Sequence, residues 1–66
     1  MNRNDIIRNR KERGKTQAEV AKACGMSRQY YSFIESGKRN ISMKAAKKIA
    51  AFFGVDWKAF FEDENS

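Results

Sequence analysis

Arg28 and Gln29 stand side by side directly after Gly25–Met26–Ser27, and Tyr30, Ser32 and Phe33 follow within four residues. An arginine fork can donate two parallel hydrogen bonds to guanine, and a glutamine amide matches the donor and acceptor of adenine. An aromatic edge at Tyr30 or Phe33 suits the methyl group of thymine. On either side lie residues fitted to phosphate rather than to bases. Gln17 follows Thr16 at the start of an apolar-periodic stretch, where the unpaired amides of a helix start suit an anion. Ser27, Lys38, Arg39, Asn40 and Lys44 supply further donors and positive charge, which position a domain on a backbone without reading sequence. This chemistry points to double-stranded DNA as the partner.

Charge along the chain has the matching shape. The protein has 66 residues, 14 Lys+Arg against 8 Asp+Glu, and a formal net charge of +6. Residues 1–15 and 37–48 are strongly basic, residues 16–36 are neutral overall, and the end of the sequence, with Glu62, Asp63 and Glu64, is acidic. Two positive flanks around a neutral reading segment suggest electrostatic steering, with the acidic tail pointing away from the partner. Other functions lack their players. Histidine is absent and Cys24 is the lone cysteine, so a disulfide within the chain and the common Cys/His zinc sites are excluded. No Gly-rich phosphate loop or carboxylate cluster offers a reaction, so the chain reads as a non-enzyme without metal, cofactor or small-molecule effector. No apolar run is long enough to span a bilayer and none reads as a signal peptide, which implies a cytoplasmic protein, nucleoid-associated when bound to DNA.

Short helices must hold these side chains in place. Thr16–Gln17–Ala18–Glu19 has the spacing of a capping box, with Val20, Ala21 and Cys24 at helical intervals and Gly25 as the stop. Ser27 caps the next helix, residues 28–36, which ends at Gly37; Ser42 opens another that ends at Gly54. Residues 4–13 read as a first helix, and Asp56 opens a last one containing Trp57, Phe60 and Phe61. The expected fold is all-α, five helices in a single domain spanning 1–66, with residues 62–66 frayed. Helices this short are unstable alone, so Ile7, Val20, Ala21, Tyr31, Ile34, Ala46, Ile49, Ala50, Phe53, Val55 and Phe60 must share one core, with Cys24 as a packing residue. The close pass at Ala21 and Gly25 makes residues 17–36 a helix-turn-helix. Its second helix would enter a major groove about 12 Å wide.

These residues resemble a known family. Gly14, Thr16–Gln17, Glu19–Val20–Ala21, Gly25–Met26–Ser27, Ile34–Glu35 and Gly37–Lys38 fit the pattern of the Cro/CI-type (XRE-type) helix-turn-helix proteins. Asn40–Ile41–Ser42–Met43, Lys48–Ile49–Ala50, Phe53–Gly54–Val55 and Phe60–Phe61 fit the segments that follow. The resemblance covers about residues 5–61. It implies a compact five-helix, lambda-repressor-like domain that binds pseudo-palindromic operators as a homodimer, without cofactor or catalysis. The variant Asn40–Met43 loop is similar to that of small restriction–modification controllers and phage-like repressors. Carried over residue by residue, Gln17 would contact phosphate, Arg28 and Gln29 would face bases, and Ser32 and Phe33 would lie further along the same helix. Arg10 and Glu35 match a pair that forms a structural salt bridge between the first and third helices. Asn9 and Lys15 stand where the family prefers aliphatic residues, and Tyr31 replaces an aliphatic core residue.

Five of the eight aromatic residues fall between Phe52 and Phe61, more than a core of this size encloses. Phe53 and Phe60 are assigned to the core, and Phe52, Trp57 and Phe61 to a dimer surface, where aromatics are enriched. The leading expectation is a sequence-specific transcriptional regulator, most simply a homodimeric repressor. The alternatives are a controller that activates transcription, or an antitoxin-like or antirepressor-like subunit that binds a protein through its aromatic C-terminal helices.

Overall fold

Serine and threonine side chains decide where three of the helices begin. In the computed structural model, which describes residues 3–61, the elements are α1 (Arg3–Glu12), α2 (Gln17–Ala23), α3 (Arg28–Ser36), α4 (Met43–Phe53) and a 3-10 segment (Trp57–Phe61). Thr16, Ser27 and Ser42 each accept a hydrogen bond from the backbone N–H three residues on. At α2 the box is closed by the Thr16 N–H donating to Glu19 Oε1 at 2.8 Å, which holds the Glu19 carboxyl below its usual range. Capping of this kind satisfies amides that no helical carbonyl can reach.

The architecture is all-helical, with no strand among the described residues. Helix α3 packs on α1 and α2, and α4 packs on α2 and the 3-10 segment. Val20, Tyr31 and Ile49 lie fully buried at the centre, with Ile6, Cys24, Ile34 and Phe53 around them. Two expectations are corrected. Ile6 rather than Ile7 enters the core, and Ile7 is only half-buried; adjacent residues of a helix point about 100° apart, so one of the two must turn outward. The fifth helix is a single stretch of 3-10 geometry, held at its start by Lys58 N–H donating to Asp56 Oδ1 at 3.0 Å. Val55 and Phe60 pack against the core while remaining partly exposed. The acidic run 62–66 lies outside the described residues.

Two arginines of the basic first flank are structural. Arg13 Nη2 donates to the Phe53 carbonyl at 2.6 Å, and its guanidinium lies 5.0 Å from the centre of the Phe53 ring. Arg3 Nη1 donates to the Ser36 carbonyl at 2.9 Å. Each places a positive charge at the carbonyl end of a helix, where the backbone dipoles favour it. The flank 1–15 is therefore partly a set of helix-end fasteners, and less of its charge is free to steer a partner than its sequence suggests.

Candidate nucleic-acid interface

The connection between α2 and α3 is built almost wholly from local backbone bonds. Met26 N–H donates to the Ala21 carbonyl at 3.0 Å and Gly25 N–H to the Lys22 carbonyl at 3.1 Å, the paired closure that ends a helix in a left-handed residue. Gly25 has φ +67°, a region that side chains other than glycine's occupy only at a cost. Met26 then tucks against the core. Ser27 starts the next helix at once, accepting from the Tyr30 N–H at 3.1 Å. The result is a three-residue turn that leaves α3 with one face on the core and one face outward.

The outward face carries most of the sequence-predicted readers. Arg28 and Gln29 are exposed in the first turn of α3, while Ser32 and Phe33 are half-buried one turn on. Lys38 sits with its ammonium 5.7 Å from the centre of the Phe33 ring, a cation–π distance. Ser27, Gln29, Phe33 and Arg39 line one surface groove of about 310 Å³, with Tyr30 as its wall. Asn40 and Lys44 are exposed on the loop and the first turn of α4.

Tyr30 serves the fold as well as the surface. Its ring packs on the core and its hydroxyl accepts the Ser42 N–H at 3.3 Å, next to the Ser42 hydroxyl at 3.5 Å. The residue pins the start of α4 to α3, while its ring stays in the lining of the groove beside Gln29 and Phe33. Its position three residues after the Ser27 cap turns it toward the neighbouring helix, which the residue type alone did not reveal.

Beneath the outward face, the inner side of α3 is a polar hub. Glu35 is 5% exposed and receives Arg10 Nε at 2.7 Å and Arg10 Nη2 at 3.1 Å. Gln17 Nε2 donates to Glu35 Oε1 at 2.9 Å. Arg10 also donates to the Lys15 carbonyl at 2.9 Å, so α1, the α1–α2 loop, α2 and α3 meet at one carboxylate. Burial opposes the charged form of Glu35, but the donors of Arg10 and Gln17 outweigh it and hold its carboxyl below the usual range. The Tyr31 phenol is buried beside this hub, and desolvation together with the Glu35 carboxylate pushes its pKa up. The Gln17 side chain, expected to contact phosphate, thus points partly inward. One amide hydrogen is committed to Glu35, and the rest of the side chain is left at the helix start.

The aromatic residues at the far end divide. Phe52 is half-buried and meets Phe53 edge to face at 5.6 Å. Trp57 is half-buried, edge to face with Phe61 at 6.0 Å, and Lys47 lies 5.0 Å over its ring. Two large apolar side chains are exposed among the described residues, Phe61 at 49% and Met43 at 56%. Sequence reasoning missed Met43 as a surface group. Its place in the first residue of α4, before the helix has reached the core, was the available signal. Among the described residues no group of His, Cys, Asp and Glu could hold a metal ion, and no helix is long and apolar enough to cross a membrane.

Residues 6–60 match the HTH_3 helix-turn-helix family. The uncharacterised HTH-type transcriptional regulator YqaF of Bacillus subtilis is 49% identical over 63 residues, covering 96% of this chain and 83% of its own. The control protein C.MunI of a Mycoplasma species is 40% identical over 48 residues, 73% of this chain and 65% of that protein. The N-terminal DNA-binding domain of SinR from Bacillus subtilis superposes with a TM-score of 0.83 at 26% identity, over 97% of this chain and 94% of that one.

Proposed function

This chain belongs to the XRE-type helix-turn-helix family, and on that premise we propose that it is a sequence-specific, homodimeric transcriptional regulator of double-stranded DNA. The observation that carries the reading is the split of α3 into two faces. Glu35 and Ile34 anchor it inside, while Arg28 and Gln29 stand exposed at its start, next to a groove edged by Arg39. In the proposed complex the first turn of α3 enters the major groove. There Arg28 takes a guanine edge and Gln29 an adenine edge, each worth roughly 1–3 kcal/mol of discrimination. Ser32 and Phe33 lie further along the groove, and the half-buried Phe33 ring offers an apolar contact. Lys38, Arg39, Asn40 and Lys44, with Ser27 and the amides at Gln17, hold the phosphates on both sides and make binding steeply salt-dependent.

One chain presents one reading helix. Two copies related by a two-fold axis present two, about 34 Å apart on one face of the duplex. The exposed Phe61, with Trp57 edge to face beside it, supports a dimer surface, to which the half-buried Phe52 is also assigned. Occupancy of an operator across a promoter excludes polymerase, so repression is the primary reading, exercised in the cytoplasm at the nucleoid. The likeness to a control protein favours a second reading, in which the same dimer bound upstream activates.

In vitro selection from random duplexes at about 150 mM salt, where non-specific binding is already weak, tests the proposal. An inverted repeat among the recovered sites is the expected result. Recovery of no motif would overturn it.

A further inference from the structure

A second groove, of about 370 Å³, lies away from the reading residues of α3, between the start of α1, the end of α3 and the loop to α4. Its floor is apolar, made by Ile6, Ile34, Ile41 and Phe60, and Arg3 and Arg39 stand at its rim. An apolar floor under a cationic rim calls for an aromatic or aliphatic side chain followed by acidic residues. The chain's own sequence contains that segment at Phe61–Glu62–Asp63–Glu64.

The segment's aromatic residue cannot serve its own groove. Phe60 is already a wall of it, and neighbouring residues of a 3-10 helix point about 120° apart. Phe61 is accordingly turned outward, 49% exposed, in edge-to-face contact with Trp57 at 6.0 Å. Phe61 nevertheless directly follows a residue of the groove's own lining, Phe60. A two-fold axis beside the 3-10 segment lets each copy give its segment to the other, a closed and self-complementary exchange.

Resting on the dimer reading above, we infer that the groove between Arg3, Ile41 and Phe60 receives Phe61 and the acidic residues 62–64 of a second copy of this chain. Phe61 fills the apolar floor, and the carboxylates pair with Arg3 and Arg39. Because Arg39 also edges the groove beside Gln29, the exchange joins the dimer contact to the reading face.

Sedimentation of the full chain across a concentration series, without DNA, tests this with two charge-swapped variants. One carries Glu62→Lys, Asp63→Lys and Glu64→Lys, and the other carries Arg3→Glu and Arg39→Glu. Because Arg3 also fastens the end of α3, Arg39→Glu alone is run beside the double variant, with circular dichroism to verify folding. Each variant alone should lose self-association, and an equimolar mixture should regain it, since both grooves then meet segments of opposite charge. Phe61→Ala should weaken the dimer roughly tenfold or more through the lost apolar burial. Variants that dimerise like the parent, or a mixture that stays monomeric, would overturn the inference while leaving a dimer through another surface intact. A parent chain that is monomeric throughout would remove the inference and the dimer together, and the DNA selection would still judge the reading face separately.

Discussion

The two faces of α3 contrast sharply within nine residues. On the inner face, one carboxylate gathers Arg10 and Gln17 at hydrogen-bonding distance, sealed to 5% exposure. On the outer face, Arg28 and Gln29 are exposed at the helix's first turn. The difference teaches how a chain of 66 residues can hold a helix rigid without spending its outward side chains on the fold. A helix this short draws its order from tertiary contacts, and the hub supplies them from one side only. The side chains that face outward are then available to a partner at little cost to stability.

Removing the hub should be the harshest way to break this contrast. Glu35→Ala leaves Arg10 with its charge uncompensated in a largely buried site, at a cost of about 3–5 kcal/mol. A domain of this size is stable by only roughly 3–10 kcal/mol, so a thermal melt should show the variant largely unfolded at 37 °C or nearly so. On the outer face, Arg28→Ala should leave the melting temperature almost unchanged while weakening a selected site by about 1–3 kcal/mol; a comparable loss of stability would show that the two faces are not separable. Thr16→Ala should fall between hub and face. It removes one half of a capping box, costing about 1 kcal/mol by chemical denaturation, with little change in which sites are recovered.

Acid provides the mildest test. The folded carboxyl of Glu35 is held below its ordinary value of 4.5, so the unfolded chain binds the proton more readily. Its contribution to stability is complete above that value and is lost as pH falls through the lower, folded one. Glu35→Gln should therefore be less stable at neutral pH yet show a shallower decline below pH about 4.5 than the parent chain. Glu19, whose carboxyl is also lowered by Thr16, titrates in both proteins and cancels in the comparison. Equal acid slopes would mean that the hub carries no pH-dependent stability.

How much of this was visible in the sequence depends on how far each interaction reaches. The α2, α3 and α4 starts were legible because a cap and its amide are three residues apart, and the stops were legible because Gly25, Gly37 and Gly54 act through their own backbone. The exposure of Arg28 and Gln29 followed from the same short-range logic. Ile6 and Ile7 were not separable, since the choice between two adjacent apolar residues is made by whichever helix packs against them. Tyr30 reads as a surface aromatic, yet Ser42, twelve residues away, donates to its hydroxyl and ties it to the start of α4. Arg13 looked like surface charge, yet its partner is the Phe53 carbonyl, forty residues on.

The sequence by itself thus determined the starts and stops of α2, α3 and α4, the tight turn at Gly25–Ser27, the family pattern and the excess of basic charge, all of them local or compositional properties. Only the tertiary structure decided which isoleucine is core, that Gln17 leans on Glu35, that Arg3 and Arg13 close helix ends, and that Phe60 lines a groove while Phe61 is exposed. Those outcomes depend on which surfaces meet after the chain has folded back on itself. Spacing along the chain does not encode that directly.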